Sequence, residues 1–101
     1  MHIMLAWDIT AEEERAEAIS EELKSVVAEF SWVRVLPNVY ILKINEVEDR
    51  DNLYEKLKSV ASEVGEGERL HFIMSPTMEG GRYQGWLPKR LWPKINARIA
   101  E

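Results

Sequence analysis

The hydrophobic spacing of this chain switches repeatedly between two periods, and the order of those switches limits its fold more than any other feature. Two segments carry apolar side chains at steps of three and four, the spacing of one helix face: Ala16, Ile19, Leu23, Val26, Val27 and Phe30, then Leu53, Leu57, Val60, Ala61 and Val64. Around them lie segments rich in β-branched and aromatic residues: HIMLAWDI, SWVRVLPNVYILKI and RLHFIMS. Two amphipathic helices should therefore alternate with strands.

Local signals predict where these elements begin and end. Thr10 and Glu13 have the spacing of a capping box, so we expect the first helix to start there and to end near Glu29. Asp49 or Asp51 is expected to cap the second helix, which Gly65 and Gly67 end.

Pro37 and Pro76 mark breaks in the β-rich segments. Pro37 has no N–H to donate to a ladder, so it should divide the middle segment into two strands. The connection between them is expected to be longer than two residues or bulged, because proline cannot supply positive φ. Pro76 is expected to end the fourth strand.

The resulting order is strand, helix, strand, strand, helix, strand, followed by a tail. This order predicts an α+β fold, a ferredoxin-like βαββαβ sandwich in which two helices cover one face of an antiparallel four-stranded sheet. We expect residues 1–76 to form this domain and residues 77–101 to form a C-terminal extension. Candidates for the sheet face without helices are Trp7, Trp32, Tyr40, His71 and Ile73, although a shift of one residue in register would exchange the faces.

The tail repeats aliphatic residues at steps of four, at Leu87, Leu91, Ile95 and Ile99. Pro93 should interrupt a continuous helix starting at Pro88, so we expect a loop or short strand at residues 82–86 and then one or two helical turns. This segment needs apolar surface, either on its own sheet or on a second subunit of a C2 homodimer. In a homodimer, or against another protein, its contacts would be Trp86, Leu91, Trp92 and Ile95.

Charge is unevenly distributed along the chain, whose net charge is −5. Residues 1–68 hold seven Lys and Arg against sixteen Asp and Glu, a balance of −9, whereas residues 69–101 hold six against two, a balance of +4. The acidic part argues against a general nucleic-acid binder. A local basic patch for nucleic acid is possible at Arg82, Lys89, Arg90 and Lys94, with Arg98 nearby; alternatively, these charges solvate an exposed helix.

Composition excludes several kinds of site. There is no cysteine, hence no disulfide framework, thiolate metal site or cysteine nucleophile. His2 and His71 lie far apart in the sequence, and histidines at such positions are more often hydrogen-bonded surface or core residues than catalytic bases. Ser75 lacks a nucleophile elbow.

With no basic segment before a long apolar one and no run of about 18 apolar residues, we expect a soluble, cytoplasmic chain with no membrane partner.

Asp8 follows Trp7 at the expected end of the first strand, and this "WDIT" together with "RVLPNVYILKI" carries a family resemblance. The chain resembles the small CRISPR-associated ferredoxin-like endoribonuclease of the spacer-adaptation module over roughly residues 1–75. Trp7-Asp8-Ile9 matches that family's aromatic–Asp–aliphatic step, and Asn38-Val39-Tyr40 matches its Ser-Val-Phe-like step. It is also similar to virulence-associated protein D and to a group of uncharacterised proteins of the same fold. Trp32 and Gly85-Trp86 match the tryptophan pattern of that second group. Leu36 in place of a polar Gln, Asn38 in place of Ser, and the longer tail depart from the endoribonuclease pattern.

The resemblance implies a metal-dependent nuclease. In that family each of two subunits supplies the aspartate and the pair holds a divalent ion, which assigns Asp8 as the catalytic and metal-binding residue and Mg²⁺ as the cofactor. One carboxylate per chain holds Mg²⁺ poorly, so a two-fold dimer would have to supply the second. Alternatively, Asp8 accepts hydrogen bonds from backbone N–H groups in a turn. We therefore expect a homodimeric nuclease or nucleic-acid-associated factor, or else a non-catalytic module for dimerisation or protein–protein interaction.

Overall fold

The elements of the computed structural model, which describes residues 1–80 and 83–99, follow the predicted order. They are β1 (His2–Thr10), α1 (Glu13–Val27), β2 (Ser31–Leu36), β3 (Val39–Lys43), α2 (Val47–Ser62), β4 (Arg69–Met74) and α3 (Leu91–Ile99). The four strands form one antiparallel sheet in the order β2-β3-β1-β4. This confirms the ferredoxin-like α+β architecture with a C-terminal helix added to it. Within the described residues, no helix is both long and apolar enough to span a bilayer.

The main core lies between the sheet and the pair of helices α1 and α2. Ile3 and Leu5 of β1 are fully buried there, as are Leu23 of α1 and both Leu53 and Leu57 of α2. These positions are the helical stripes and one side of the central strand. The spacing seen in the sequence therefore corresponds to the face that each element buries.

Three aromatic residues expected on the other sheet face belong to this helix side. Trp7 stacks on Tyr40 with ring centroids 4.7 Å apart, and Trp32 lies 5.8 Å from Tyr40 at the edge of the same layer. The prediction was wrong for these three residues, because a shift of one residue in the phase of a strand exchanges its faces. His71 and Ile73 do lie on the opposite face and are exposed.

Helix α3 folds back onto the second face of the chain's own sheet. A second core forms there, in which Ile95 of α3 is buried with Val33, Val35 and Ile41 of β2 and β3. The helix begins three residues after Pro88, whose carbonyl accepts a hydrogen bond of 3.0 Å from the Leu91 N–H. Pro93 therefore falls in the first turn, where a missing N–H breaks no intrahelical bond.

The segment leading to α3 is attached to the start of β1. The backbones of His2 and Met78 exchange two hydrogen bonds, of 2.8 and 2.9 Å. The buried His2 ring also shares a hydrogen bond of 2.6 Å between its Nε2 and the Tyr83 hydroxyl. Burial raises the pKa of Tyr83, so the phenol remains protonated and able to hydrogen-bond over a wide pH range.

Both helix starts differ from the predicted capping pattern. Strand β1 continues to Thr10 because Ile9 and Thr10 still pair with β4, so Thr10 caps nothing and Glu12 is the N-cap of α1. In α2 the N-cap is Glu46; Asp49, inside the first turn, accepts hydrogen bonds of 3.0 Å at Oδ2 from the N–H groups of Asn45 and Glu46. Strand pairing decided the first boundary, which a local signal could not reveal.

The β2–β3 connection has the expected bulge. Only Pro37 and Asn38 separate the two strands, and the register shifts between Arg34 and Leu36. No residue other than glycine has positive φ in the described part of the chain. The bulge thus provides the twist that a two-residue turn with Pro37 cannot provide.

The packing of α1 and α2 generates a stability prediction. Leu23→Ala and Leu57→Ala should each lower the free energy of unfolding by about 2–5 kcal/mol, because each removes a fully buried side chain and leaves a cavity. Urea denaturation followed by circular dichroism measures this, with Ser25→Ala on the exposed side of α1 as the control. Losses under about 0.5 kcal/mol at both leucines would contradict the proposed packing.

Candidate functional site

Part of the second sheet face is left bare by α3, which covers only its β2–β3 side. We call this area the uncovered strip. It consists of Ala6, Asp8 and Thr10 of β1 and Arg69, His71 and Ile73 of β4, which alternate with residues of the main core. Ile73 is 73% exposed, an unusual environment for a large aliphatic side chain in the middle of a sheet edge.

Asp8 and His71 lie directly opposite each other across β1 and β4. Directly opposed residues have Cβ atoms about 4.5–5.5 Å apart, so the carboxylate and the imidazole are neighbours on one surface. Both side chains are exposed and line a shallow depression of about 290 Å³ that Asn38 and Ile73 also line. The sequence alone did not indicate that these two residues meet.

The Asp8 carboxylate takes part in no side-chain hydrogen bond or ion pair within residues 1–80 and 83–99. The alternative in which it accepts hydrogen bonds in a turn requires a position after the strand. Asp8 instead lies two residues before the end of β1, with its side chain exposed to solvent. Its oxygens are therefore accessible to a cation or to a partner.

Within one chain, the described residues bring no three His, Asp or Glu side chains together as a metal site. The uncovered strip supplies two such side chains, Asp8 and His71. A metal ion there would need further ligands from a second copy of the chain, from water or from a substrate phosphate.

A second surface lies at the opposite edge of the sheet, where α3 meets β2. We call it the basic groove: about 520 Å³ lined by Trp32, Val33, Arg34, Arg90, Leu91, Lys94 and Arg98. Neither β2 nor residues 83–99 contain an acidic residue, although the whole chain is acidic. Trp32 is 43% exposed, and in the described part of the chain the buried Nε of Arg98 meets no acceptor. Such a surface can bind anionic groups and offer one aromatic ring for stacking.

The structure brings two of the four predicted nucleic-acid residues together on one surface. Arg90 and Lys94 line the basic groove, Lys89 is exposed beside it, and Arg82 lies outside the described residues. Sequence reasoning missed Trp32 and Arg34 as members of this surface. Their spacing of two along one β segment places them on the same side of an edge strand, and that was the signal available.

The turn between β2 and β3 lies between the two surfaces. Pro37 shares a hollow with Arg34 and Arg90, and Asn38 lines the depression at Asp8. The Arg34 Nε donates a hydrogen bond of 2.9 Å to the Pro37 carbonyl, which fixes that side of the turn. The basic groove and the uncovered strip are thus joined around the end of the hairpin.

The residues predicted as partner contacts have very different exposures. Ile95 is buried against the chain's own sheet, and Leu91 and Trp92 are half-buried there. Trp86 is fully exposed beside an apolar cavity of about 370 Å³, which Leu36, Tyr83 and Trp92 also line. Of the four, only Trp86 has its whole side chain available to another molecule.

No family model matches the chain, and no curated protein is significantly similar to it in sequence. The class that its fold and surfaces define is an antiparallel ferredoxin-like α+β protein with an exposed Asp–His pair and a separate basic groove. Any function must therefore be argued from these two surfaces.

Proposed function

We propose that this chain is a homodimeric, metal-dependent nuclease that acts on single-stranded nucleic acid and is related to the CRISPR-associated family that its sequence resembles. The observation that carries the proposal is the exposed Asp8 carboxylate on the uncovered strip, which has no side-chain partner among the residues that the structure describes. A carboxylate in this condition is a ready ligand for Mg²⁺.

Pairing of two uncovered strips would complete the metal site. Ile73 and Ala6 give the strip an apolar part that a partner can bury, and Asp8 lies beside it. In a two-fold contact the same surface is used by both chains, so two Asp8 carboxylates approach each other. Two carboxylates with water and a substrate phosphate then satisfy the oxygen coordination of Mg²⁺.

The chemistry assigned to each surface follows from its charge. A divalent ion bound at Asp8 would polarise a phosphodiester and lower the pKa of its bound water. The chain itself holds the ion through Asp8 and holds the substrate through Arg34, Arg90 and Lys94. Trp32 offers a ring on which one base can stack.

Asp8→Asn should reduce Mg²⁺-dependent cleavage at least about 100-fold, because it removes the charge that binds the ion while keeping the side chain's shape. The measurement is cleavage of end-labelled single-stranded RNA and DNA, with and without a chelator. Ser25→Ala, on the exposed side of α1 and outside both surfaces, is the control and should retain activity. Cleavage by Asp8→Asn that also survives chelation would remove Asp8 from the mechanism.

Nucleic-acid binding tests the basic groove separately from cleavage. With chelator present, Lys94→Gln should weaken binding of a labelled RNA single strand and lower its salt slope by about 0.7, the value expected for one lost phosphate contact. Trp32→Ala should cost about 1–3 kcal/mol of binding free energy through lost stacking. Lys58→Gln, an exposed lysine of α2, is the matched control. Equal effects of Lys94→Gln and Lys58→Gln in fluorescence anisotropy would place the nucleic acid elsewhere.

A second candidate function is a non-catalytic interaction module. It is favoured by Trp86, which is fully exposed beside an apolar cavity and resembles the aromatic anchors that dominate many protein interfaces. In this case the tail, and not the uncovered strip, would hold the partner.

Sedimentation of variants distinguishes the two candidates. If the strips pair, the intact chain is a dimer, Ile73→Asp makes it monomeric, and Trp86→Ala leaves it dimeric. A dimer lost in Trp86→Ala but kept in Ile73→Asp supports the interaction module instead. A chain that remains monomeric at about 100 μM contradicts the paired site, since an interface of specific size should reach at least micromolar affinity.

A further inference from the structure

We infer that His71 is the second protein ligand of the metal site, and that the site consequently selects a transition-metal ion such as Zn²⁺ or Co²⁺ over Mg²⁺. The inference rests on the proposed pairing of two chains at Asp8 and extends it to a residue on a different strand. The juxtaposition of Asp8 and His71 in the register of β1 and β4 carries it.

The backbone holds these two side chains in fixed relative positions. The pairs on either side of Asp8 and His71 are Trp7 with Phe72 and Ile9 with Leu70, so the two residues lie within a continuous ladder. Trp7 and Leu70 are buried in the main core, which anchors both strands. Ligands on a packed sheet need little reorganisation to bind an ion.

Both side chains are free to turn towards an ion. Asp8 and His71 are exposed, they line the same depression, and within residues 1–80 and 83–99 neither has a side-chain hydrogen bond or ion pair. A cross-strand pair with no metal role would leave the same two residues as ordinary surface neighbours. Metal binding is therefore the property to measure.

The ligand types decide which ion is preferred. Imidazole nitrogen suits Zn²⁺, Cu²⁺, Ni²⁺ and related ions, whereas Mg²⁺ takes oxygen ligands in a strict octahedron and keeps much of its water. One carboxylate and one imidazole from each of two chains make a set of two oxygens and two nitrogens. Four ligands of this kind fit the tetrahedral coordination of Zn²⁺ or Co²⁺.

The number of metal ions bound per chain follows from the fact that each chain provides only the two proposed ligands, Asp8 and His71. One chain alone provides too few ligands to hold the ion firmly, so the ion binds at the junction of two copies. Binding to the dimer but not to the monomer stabilises the dimer by mass action. Transition-metal ions should therefore tighten self-association, and Mg²⁺ at equal concentration should do so less.

The test is a titration of the metal-free full chain with Co²⁺, followed by its visible absorption. We expect one Co²⁺ per two chains, displacement by Zn²⁺, and no displacement by Mg²⁺ at about a hundredfold excess over Co²⁺. His71→Gln should weaken Co²⁺ binding at least about 10-fold, because it replaces the nitrogen ligand with an amide. Ser25→Ala, on the exposed side of α1 and outside the strip, should bind as the unmodified chain does, and circular dichroism checks that each variant is folded.

The outcomes separate this inference from the proposed nuclease. Co²⁺ binding that is unchanged in folded His71→Gln, or that Mg²⁺ displaces readily, overturns the role of His71. If Mg²⁺-dependent cleavage nevertheless persists in that variant, the nuclease stands without it. Co²⁺ bound by two chains through Asp8 and His71, with no cleavage of RNA or DNA by any ion, supports the site and overturns the nuclease.

Discussion

The alternation of side chains along β1 is the constraint on which the rest of the structure depends. This strand pairs with β3 on one side and β4 on the other, so its odd residues face α1 and α2 and its even residues face the opposite side. Ile3, Leu5 and Trp7 consequently fill the main core. The even residues meet the tail at His2 and Met4 and reach solvent at Asp8.

Helix α3 divides that second face into two regions with different properties. Its packing on β2 and β3 buries Ile95 and brings Arg90, Lys94 and Arg98 to the edge strand. It does not extend over β4, so Asp8 and His71 remain exposed. One short helix thus produces both the basic groove and the uncovered strip.

The distribution of charge gives the two sides of the molecule different partners. Glutamates along α1 make the helix side of the sandwich acidic, whereas α3 carries no acidic residue. A polyanion would be repelled from the first surface and attracted to the second, and Trp32 is accessible beside it at the edge strand. This polarity explains how a chain with net charge −5 can present a surface suited to phosphates, which total charge alone argued against.

The sequence by itself determined the number and order of elements, because their signals are local. Leu23 and Leu57 belong to helical stripes that any packing would bury, and Pro37 divides two strands wherever the sheet lies. Only the tertiary structure decided which sheet face each strand residue occupies. A difference of one residue between the expected and the observed register places Trp7, Trp32 and Tyr40 on the helix side. It also extended β1 through Thr10, by pairing with β4.

The candidate sites were likewise decided by contacts between distant segments. The motif around Asp8 identified it as a candidate site residue. Its position opposite His71 depends on the register between β1 and β4, which no local sequence pattern encodes. Arg34 and Trp32 join Arg90 and Lys94 only because α3 packs across the edge strand. Short-range periodicity fixes what each segment becomes, whereas long-range pairing fixes which side chains meet, and the chemistry of this protein depends on the second.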